Sequence, residues 1–152
     1  MIAPRSLGAT LARVKLSVKS HYASHAVLSL ARRYPDGAAL RAEDLAAEQG
    51  ISAKYLVQIL IELKGQGIVS SVRGKEGGYL LARPPAQISL NDILHAVHEG
   101  LFDSPALTDP ACPPELRRAW QKFQHASEVA AGQITFQQLI DEGDEKAKMY
   151  YI

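Results

Sequence analysis

Two cationic side chains occur in a glycine-rich stretch between two short runs of β-forming residues. Residues 68–72 and 79–82 have the apolar and β-branched content of paired strands, and Arg73 and Lys75 fall between them. The glycines that allow the backbone angles of a bulged hairpin there are Gly74, Gly77 and Gly78. Cations displayed at a hairpin tip suit a groove of nucleic acid. The stretch therefore predicts the wing of a winged helix, and the alternative is a solvated hairpin whose charges only aid solubility.

The segment before the wing predicts a helix-turn-helix. Residues 40–49 favour a short helix, and Gly50 stands where a helix end needs a left-handed conformation. Ser52 can accept a hydrogen bond from a free backbone N–H and so begin a second helix over residues 53–66. The stripe of that helix expected to pack on the core is Tyr55, Leu56, Ile59, Leu60 and Leu63.

The opposite face of the second helix is left for DNA. Its residues are Ala53, Lys54, Val57, Gln58 and Ile61. Ser52, Ala53 and Lys54 stand at its N-terminal end, where recognition helices usually meet base edges. On the first helix, His21 and His25 are four residues apart and are expected either to contact phosphate or to be plain surface histidines. The full set of predicted DNA contacts is Lys19, His21, Tyr22, Ser52, Ala53, Lys54, Tyr55, Val57, Gln58, Arg73 and Lys75.

Further helices are expected on both sides of this segment. Residues 20–33 predict a first helix, closed by a turn at residues 35–37. Its inward stripe is Tyr22, Ala23, Ala26, Val27, Leu30 and Ala31. After the wing, Ser89 can cap a short helix that ends by Gly100. The inward residues of that short helix are Ile93, Leu94, Ala96 and Val97.

The C-terminal part predicts a loop and a long amphipathic helix. Residues 101–114 contain four prolines and are expected to form a loop, whereas residues 115–131 are expected to be helical and residues 134–140 to add a last turn or two. The stripe of the long helix is Leu116, Trp120, Phe123, Ser127 and Ala130. It is too apolar to leave in water on a lone appendage, so it predicts a dimer interface. The expected fold is mainly α with a small β-hairpin wing: a winged helix-turn-helix domain plus a long C-terminal dimerisation helix.

Composition and charge support a small DNA-binding protein. The 152 residues predict one compact domain with an appendage. With no apolar run of about 18 residues and no signal-peptide pattern, a cytoplasmic protein without a membrane partner is expected. The net charge of +1 hides a segregation: residues 1–85 hold 12 Lys and Arg against 6 Asp and Glu, a net +6, and residues 86–152 hold 5 against 10, a net −5. The basic half can attract phosphates, and the acidic half must point away from them.

Four short motifs carry a family resemblance. They are QGISAKYL at residues 49–56, GIV at 67–69, SVRG at 71–74 and GGYLLARP at 77–84. Over about residues 14–99 the chain closely resembles winged-helix regulators of the IscR, NsrR and CymR type, the Rrf2 family. The resemblance implies a dimer, formed by the helix over residues 115–131, that presents two recognition helices to a palindromic operator. It also implies that Arg73 enters the minor groove.

The chain departs from this family in three places. Members that bind an iron-sulfur cluster carry three cysteines in the loop after the wing, whereas this chain has Cys112 alone, so no cofactor is expected. Many relatives have a glutamate where this chain has Val57, which can offer only apolar contact, for example to a thymine methyl. The family's usual start aligns with residues 14–16. The expected organisation is an N-terminal extension (1–13), a winged helix-turn-helix domain (14–85), and a linker helix, loop and dimerisation or effector helices (86–152).

Three features are candidates for sensing a signal through a protein or small-molecule effector, a metal or oxidation. Cys112 could be oxidised or form an intersubunit disulfide, or could be inert. Trp120 and Phe123 could line an effector pocket or only fill the dimer interface. The candidate metal ligands on one helix face, which are otherwise ordinary solvated side chains, are Asp92, His95, His98 and Glu99.

Two other classes of function remain to be weighed. An enzyme has no support, because the sequence contains no nucleophile motif and no phosphate loop. A module that docks on a partner protein without binding DNA is the main alternative to a dimeric repressor. Such a module has no need to concentrate basic residues on the wing and the recognition helix.

Overall fold

Capping side chains and a left-handed glycine set several of the helix ends that the structure describes. The computed structural model describes residues 17–97 and 105–150. In chain order the described helices are α1 (Val18–Ala31), α2 (Ala42–Gln49), α3 (Ala53–Gly65), α4 (Leu90–Ala96), α5 (Pro114–Gly132) and α6 (Phe136–Tyr150), and the strands are β1 (Val69–Val72) and β2 (Gly78–Leu81). Single 3-10 turns lie at Pro85–Gln87 and Pro105–Leu107. The expected fold class, mainly helical with one antiparallel hairpin, is confirmed.

Several helix ends follow the local chemistry predicted for them. Gly50 ends α2 at a φ of 65°, and Ser52 begins α3 by accepting from the N–H of Tyr55 at 3.1 Å. Ser89 and Asp92 form a capping box at the start of α4, with each side chain accepting from the other residue's backbone N–H. Because these bonds are local, the sequence alone was sufficient to locate these ends.

One hydrophobic core joins the helix-turn-helix to elements on both sides of it. The predicted inward residues of α1 from Ala23 to Ala31, and those of α4, are buried. From α3, Leu56, Ile59, Leu60 and Leu63 are fully buried. The core also takes in Ile88 and Phe136 from the C-terminal half. The division of the chain at residue 85 stays a prediction.

The C-terminal segment returns to this core through a short backbone pairing. The N–H of Leu90 donates to the carbonyl of Ile134 at 3.0 Å, and the N–H of Phe136 donates to that of Ile88 at 2.9 Å. This pairing precedes α6, which packs against α1, and Phe136 at the start of α6 is fully buried. Burying a side chain of this size contributes about 1.5 to 3 kcal/mol to folding.

Some predicted boundaries were wrong. Leu40 is not helical: it pairs with Tyr79 as an isolated bridge, and α2 begins only at Ala42. The first helix runs from Val18 to Ala31 rather than over residues 20–33. The last helix is not one or two turns but 15 residues long. The expectations for residues 1–13 and for the end of a helix at Gly100 lie outside the described residues, as does the start of the proline-rich loop.

Among the helices that the structure describes, none is both long and apolar enough to span a membrane.

Candidate nucleic-acid interface

The exposed face of α3 carries the predicted polar contacts. Lys54 and Gln58 are exposed one helical turn apart, and Ile61 follows on the same face. Ala53 and Val57, which were predicted to face DNA, are half-buried and pack against the core. The most exposed of the α3 side chains predicted to contact DNA are therefore Lys54, Gln58 and Tyr55, with Ile61 beside them.

Tyr55 does not belong to the buried stripe of α3. Its side chain is 39% exposed, and its ring meets that of Tyr22 edge-on, with centroids 5.9 Å apart. His21, exposed on α1, lies beside Tyr22 at 5.6 Å between ring centroids and 6.4 Å from His25. The structure thus brings His21, Tyr22 and Tyr55 together beside the N-terminal end of α3. An edge-to-face pair of this kind contributes about 0.5 to 1.5 kcal/mol beyond the burial of its area and so helps to hold α1 against α3.

Lys19 is engaged within the protein. Its ammonium lies 2.6 Å from Glu62 Oε1, and both side chains are 27% exposed. Because Glu62 belongs to α3, this ion pair joins α1 to the recognition helix and offsets an acidic charge there. A pair at this exposure contributes at most about 1 kcal/mol to stability. Its larger effect on DNA would come from removing the field of an unpaired carboxylate.

The wing is an antiparallel hairpin whose tip presents two cations. Val69 pairs with Leu81 and Val72 with Gly78, and Arg73 and Lys75 are exposed between the strands. Gly78, at a φ of 150°, lies so close to the chain at Leu40 that an added Cβ would come within 2.4 Å of that carbonyl oxygen. The glycine permits this close approach of backbone to backbone.

Two hydrogen bonds from side chains fasten the wing to the helix-turn-helix. Arg41 Nη2 donates to the carbonyl of Lys75 at 2.9 Å, and Lys64 Nζ donates to Ser71 Oγ at 2.7 Å. Arg41 also lines a cleft between α3 and the wing, together with Glu43, Val57 and Val72. Sequence analysis did not single out Arg41, Lys64 or Glu62. To find the contact between Arg41 and Lys75 from the sequence, one would first have had to predict that Leu40 pairs with Tyr79.

Cys112 and the residues of α4 do not form a donor set for iron. Cys112 is the one cysteine of the chain; it is buried, and its Sγ lies 3.6 Å from the carbonyl oxygen of Pro113. Asp92 is held by the capping box and by Arg83 at 3.5 Å, and His95 is exposed. His98 and Glu99 lie outside the described residues. Within residues 17–97 and 105–150, no three His, Cys, Asp or Glu side chains cluster in a way that could hold a metal ion. Iron-sulfur clusters are held by several thiolates or imidazoles, so these residues do not fit that group.

The predicted stripe of α5 is largely uncovered. Leu116, Trp120 and Phe123 are 46%, 40% and 53% exposed, and the two rings meet edge-on at 6.5 Å. Farther along, Ser127 and Ala130 border an apolar cavity of about 350 Å³. Its other lining residues are Ser24, Leu90, Leu94, Ala131 and Ile134. The hypothesis of an effector pocket lined by Trp120 and Phe123 is not supported by this cavity, which neither side chain lines.

Comparisons with known proteins agree with this arrangement. The sequence matches the Rrf2 family, described as an iron-dependent transcriptional regulator, over residues 16–142. An HTH-type transcriptional regulator of Haemophilus influenzae is 32% identical and covers 90% of this chain and 93% of its own. A Synechocystis relative is 44% identical over 63% of this chain, and the match spans 65% of that protein's length.

Solved structures give the same result. T. potens IscR is 30% identical, with a TM-score of 0.71 over 87% of this chain and 90% of its own. CymR, named as the global cysteine regulator of B. subtilis, is 26% identical, also with a TM-score of 0.71, over 84% of this chain and 97% of its own. Helix-turn-helix, wing and long C-terminal helices therefore occur here in a known combination. The chain belongs to the Rrf2 family, whose members are DNA-binding transcriptional regulators rather than enzymes.

Proposed function

We propose that the protein is a homodimeric repressor that binds a palindromic operator through the exposed face of α3 and the wing tip. The observation that carries this proposal is the placement of Lys54, Gln58, Arg73 and Lys75 as exposed side chains on two elements fastened to each other. In winged helices a recognition helix enters the major groove. An arginine at a narrow hairpin tip suits the minor groove, where the negative potential is enhanced.

The dimer is supported by the uncovered stripe of α5. Burying exposed aromatic and aliphatic side chains against a partner stabilises the complex by about 25 cal/mol for every Å² of apolar surface removed from water. A second copy of the same stripe offers a self-complementary apolar surface, and two-fold symmetry is the commonest form of assembly. Two recognition helices related by such an axis would match a palindromic site.

The regulator is also proposed to act without an iron-sulfur cluster, although its family is described as iron-dependent. The support is the single cysteine of the chain, because one thiolate cannot hold such a cluster. Protein purified without oxygen should contain far less than one iron per chain and lack the visible absorption of a cluster. Stoichiometric iron and sulfide would contradict the proposal.

DNA selection tests the proposed operator binding. The purified protein is mixed with fragments of its source genome at fixed salt, and the bound fragments are sequenced. A shared palindrome is expected, and footprinting should show protection of two half-sites about one helical turn apart.

A matched pair of double variants connects the selection to the surface. Lys54→Ala/Arg73→Ala should lose the selected fragments. Arg118→Ala/Lys146→Ala removes the same two charges from exposed positions on α5 and α6 and should keep them. If wild-type protein enriches no sequence while a partner protein binds the same surface, the protein-docking alternative is correct.

A further inference from the structure

The wing of this protein is joined to the helix-turn-helix by backbone as well as by its connecting chain. The N–H of Leu40 donates to the carbonyl of Tyr79 at 3.0 Å, and the N–H of Tyr79 donates back to Leu40 at 2.7 Å. Leu40 therefore acts as a third, single-residue strand beside β2. The pairing lies near the tip end of the hairpin, since Tyr79 is one residue past Gly78, which pairs with Val72. Residues 73–77, the tip, lie beyond the paired residues.

A side chain holds the tip itself. Arg41 Nη2 donates to the carbonyl of Lys75, which lies between Arg73 and the glycine pair that begins the return strand. Arg41 is in turn fixed by its backbone, because its carbonyl accepts from the N–H groups of Asp44 and Leu45 and so begins α2. The guanidinium thus connects the wing tip to the first helix of the helix-turn-helix.

A second side chain braces the other strand. Lys64, in the last turn of α3, donates to Ser71 on β1 at 2.7 Å. The wing is therefore held to α3 at β1 and to the start of α2 at its tip. The Arg41 contact adds to the hydrogen bond that the N–H of Gly77 donates to Gly74 within the tip, and so further limits the backbone angles that this glycine-rich turn can sample.

We infer that Arg41 is a positioning residue for DNA recognition: it holds the wing tip in place so that Arg73 and the exposed face of α3 can engage one DNA segment together. The inference rests on the proposed function. A wing tip that is already ordered loses less conformational entropy when it binds DNA. This preorganisation raises the affinity for DNA without any contact between Arg41 and DNA. In this proposal Arg73 contacts the DNA groove, and Arg41 affects binding only by holding the wing tip that carries Arg73.

Hydrogen exchange of the free protein tests the brace independently of DNA. The N–H of Gly77 donates to Gly74 at 3.0 Å across the tip and reports its order. In Arg41→Ala this amide, with its neighbours in the tip, should exchange about 3- to 10-fold faster, in line with the loss of one hydrogen bond. Arg41→Met keeps the aliphatic stem and should behave alike. Arg118→Ala, an arginine removed from α5, should leave the exchange unchanged.

A double-mutant cycle tests the effect on recognition. Arg41→Ala should weaken binding to the selected DNA about 3- to 10-fold in the wild-type background, as expected for the loss of one hydrogen bond, but less than about 2-fold in the Arg73→Ala background, because the two act as a unit. Equal losses in both backgrounds would mean that Arg41 touches DNA directly, and the inference would be wrong. Unchanged exchange at the tip would overturn it as well.

The same measurements separate the inference from the function on which it rests. If Arg73→Ala leaves binding unchanged, the proposed wing recognition fails, whatever Arg41 does. If Arg73→Ala weakens binding but Arg41→Ala changes neither exchange nor affinity, the wing recognition stands and the positioning role is wrong.

Discussion

The exposed face of α3 and the exposed stripe of α5 are both left uncovered by the rest of the chain, but their chemistry differs. The α3 face presents Lys54 and Gln58 with Ile61 beside them, next to a braced wing, in the part of the sequence with a net charge of +6. The α5 stripe displays Leu116, Trp120 and Phe123 in the half with a net charge of −5. Charged side chains stay hydrated until phosphates replace the water and the counterions. Exposed aromatic rings, in contrast, are stabilised whenever a partner excludes water from them. The first surface therefore suits a polyanion, and the second suits another apolar surface.

The largest effect is expected from changing the α5 surface. Trp120→Glu/Phe123→Glu places two carboxylates in the proposed dimer interface. The free energy needed to remove water from them exceeds the favourable free energy of association. Light scattering at micromolar concentration should change from about twice the chain mass to one chain mass. Operator affinity should fall by about 100-fold or more, as expected when one of two linked half-sites is lost.

A charge change elsewhere in residues 86–152 serves as the control. Met149→Glu alters a highly exposed position on α6 and should remain dimeric. Wild-type protein that stays monomeric as its concentration rises would show that the α5 stripe has another role.

The next largest effect is expected at the wing. Arg73→Ala should cost about 1 to 3 kcal/mol at the operator and relax the preference at the groove positions that it reads. Binding isotherms at fixed salt measure the loss, and circular dichroism checks that the fold is intact. An equal loss on every DNA sequence would indicate that Arg73 contacts only phosphate.

A change at the N-cap of α3 should lower the stability of the protein. Ser52→Ala removes the hydroxyl that accepts the N–H of Tyr55 at the start of α3 and should lower the free energy of unfolding by about 1 kcal/mol. Urea titration measures this loss. Ser52→Asp can restore the cap and should recover most of it, although its added negative charge should weaken DNA binding. No loss of stability in Ser52→Ala would mean that this cap does not hold α3 in solution.

The smallest effect is expected from Lys54. If its ammonium binds a phosphate, Lys54→Ala should weaken binding to most sequences alike and lower the salt dependence of the affinity by about one unit of slope. If Lys54 reads a base edge, the loss should be confined to a few positions of the operator. A titration over several salt concentrations on operator and non-operator DNA distinguishes the two. No change on either DNA would exclude Lys54 from the interface.

Local chemistry made most of the α3 region predictable, and distant pairing made the rest unpredictable. The cap at Ser52, the left-handed Gly50 and the stripe from Leu56 to Leu63 depend on neighbours in sequence, so a pattern reveals them. Tyr55 follows the same apolar spacing but turns toward Tyr22 on α1, which no spacing within α3 can indicate. Leu40 was mistaken for helix because its partner, Tyr79, lies 39 positions later in the chain.

The same distinction applies to the candidate site. Arg73 and Lys75 were predictable from the glycines around them, because a hairpin tip is a local feature. Lys19 has the charge and the region of a phosphate contact, yet its ammonium is paired with Glu62, 43 positions away. The length of α6 was underestimated because its last turns are exposed all round and show no inward stripe.

The burial of Phe136 sets the time at which this protein can fold as a ribosome makes it. The recognition helix and the wing are complete by residue 81, but the core beneath them includes a ring from residue 136, brought in by the pairing with residues 88–90. Until that residue has emerged, the nascent chain lacks a core side chain whose removal typically costs about 3 to 5 kcal/mol. A nascent chain stopped after the wing would expose its apolar residues to chaperones and proteases. DNA-binding activity would therefore arise only after residue 136 has been made, when α5, the helix proposed to join two subunits, is already complete.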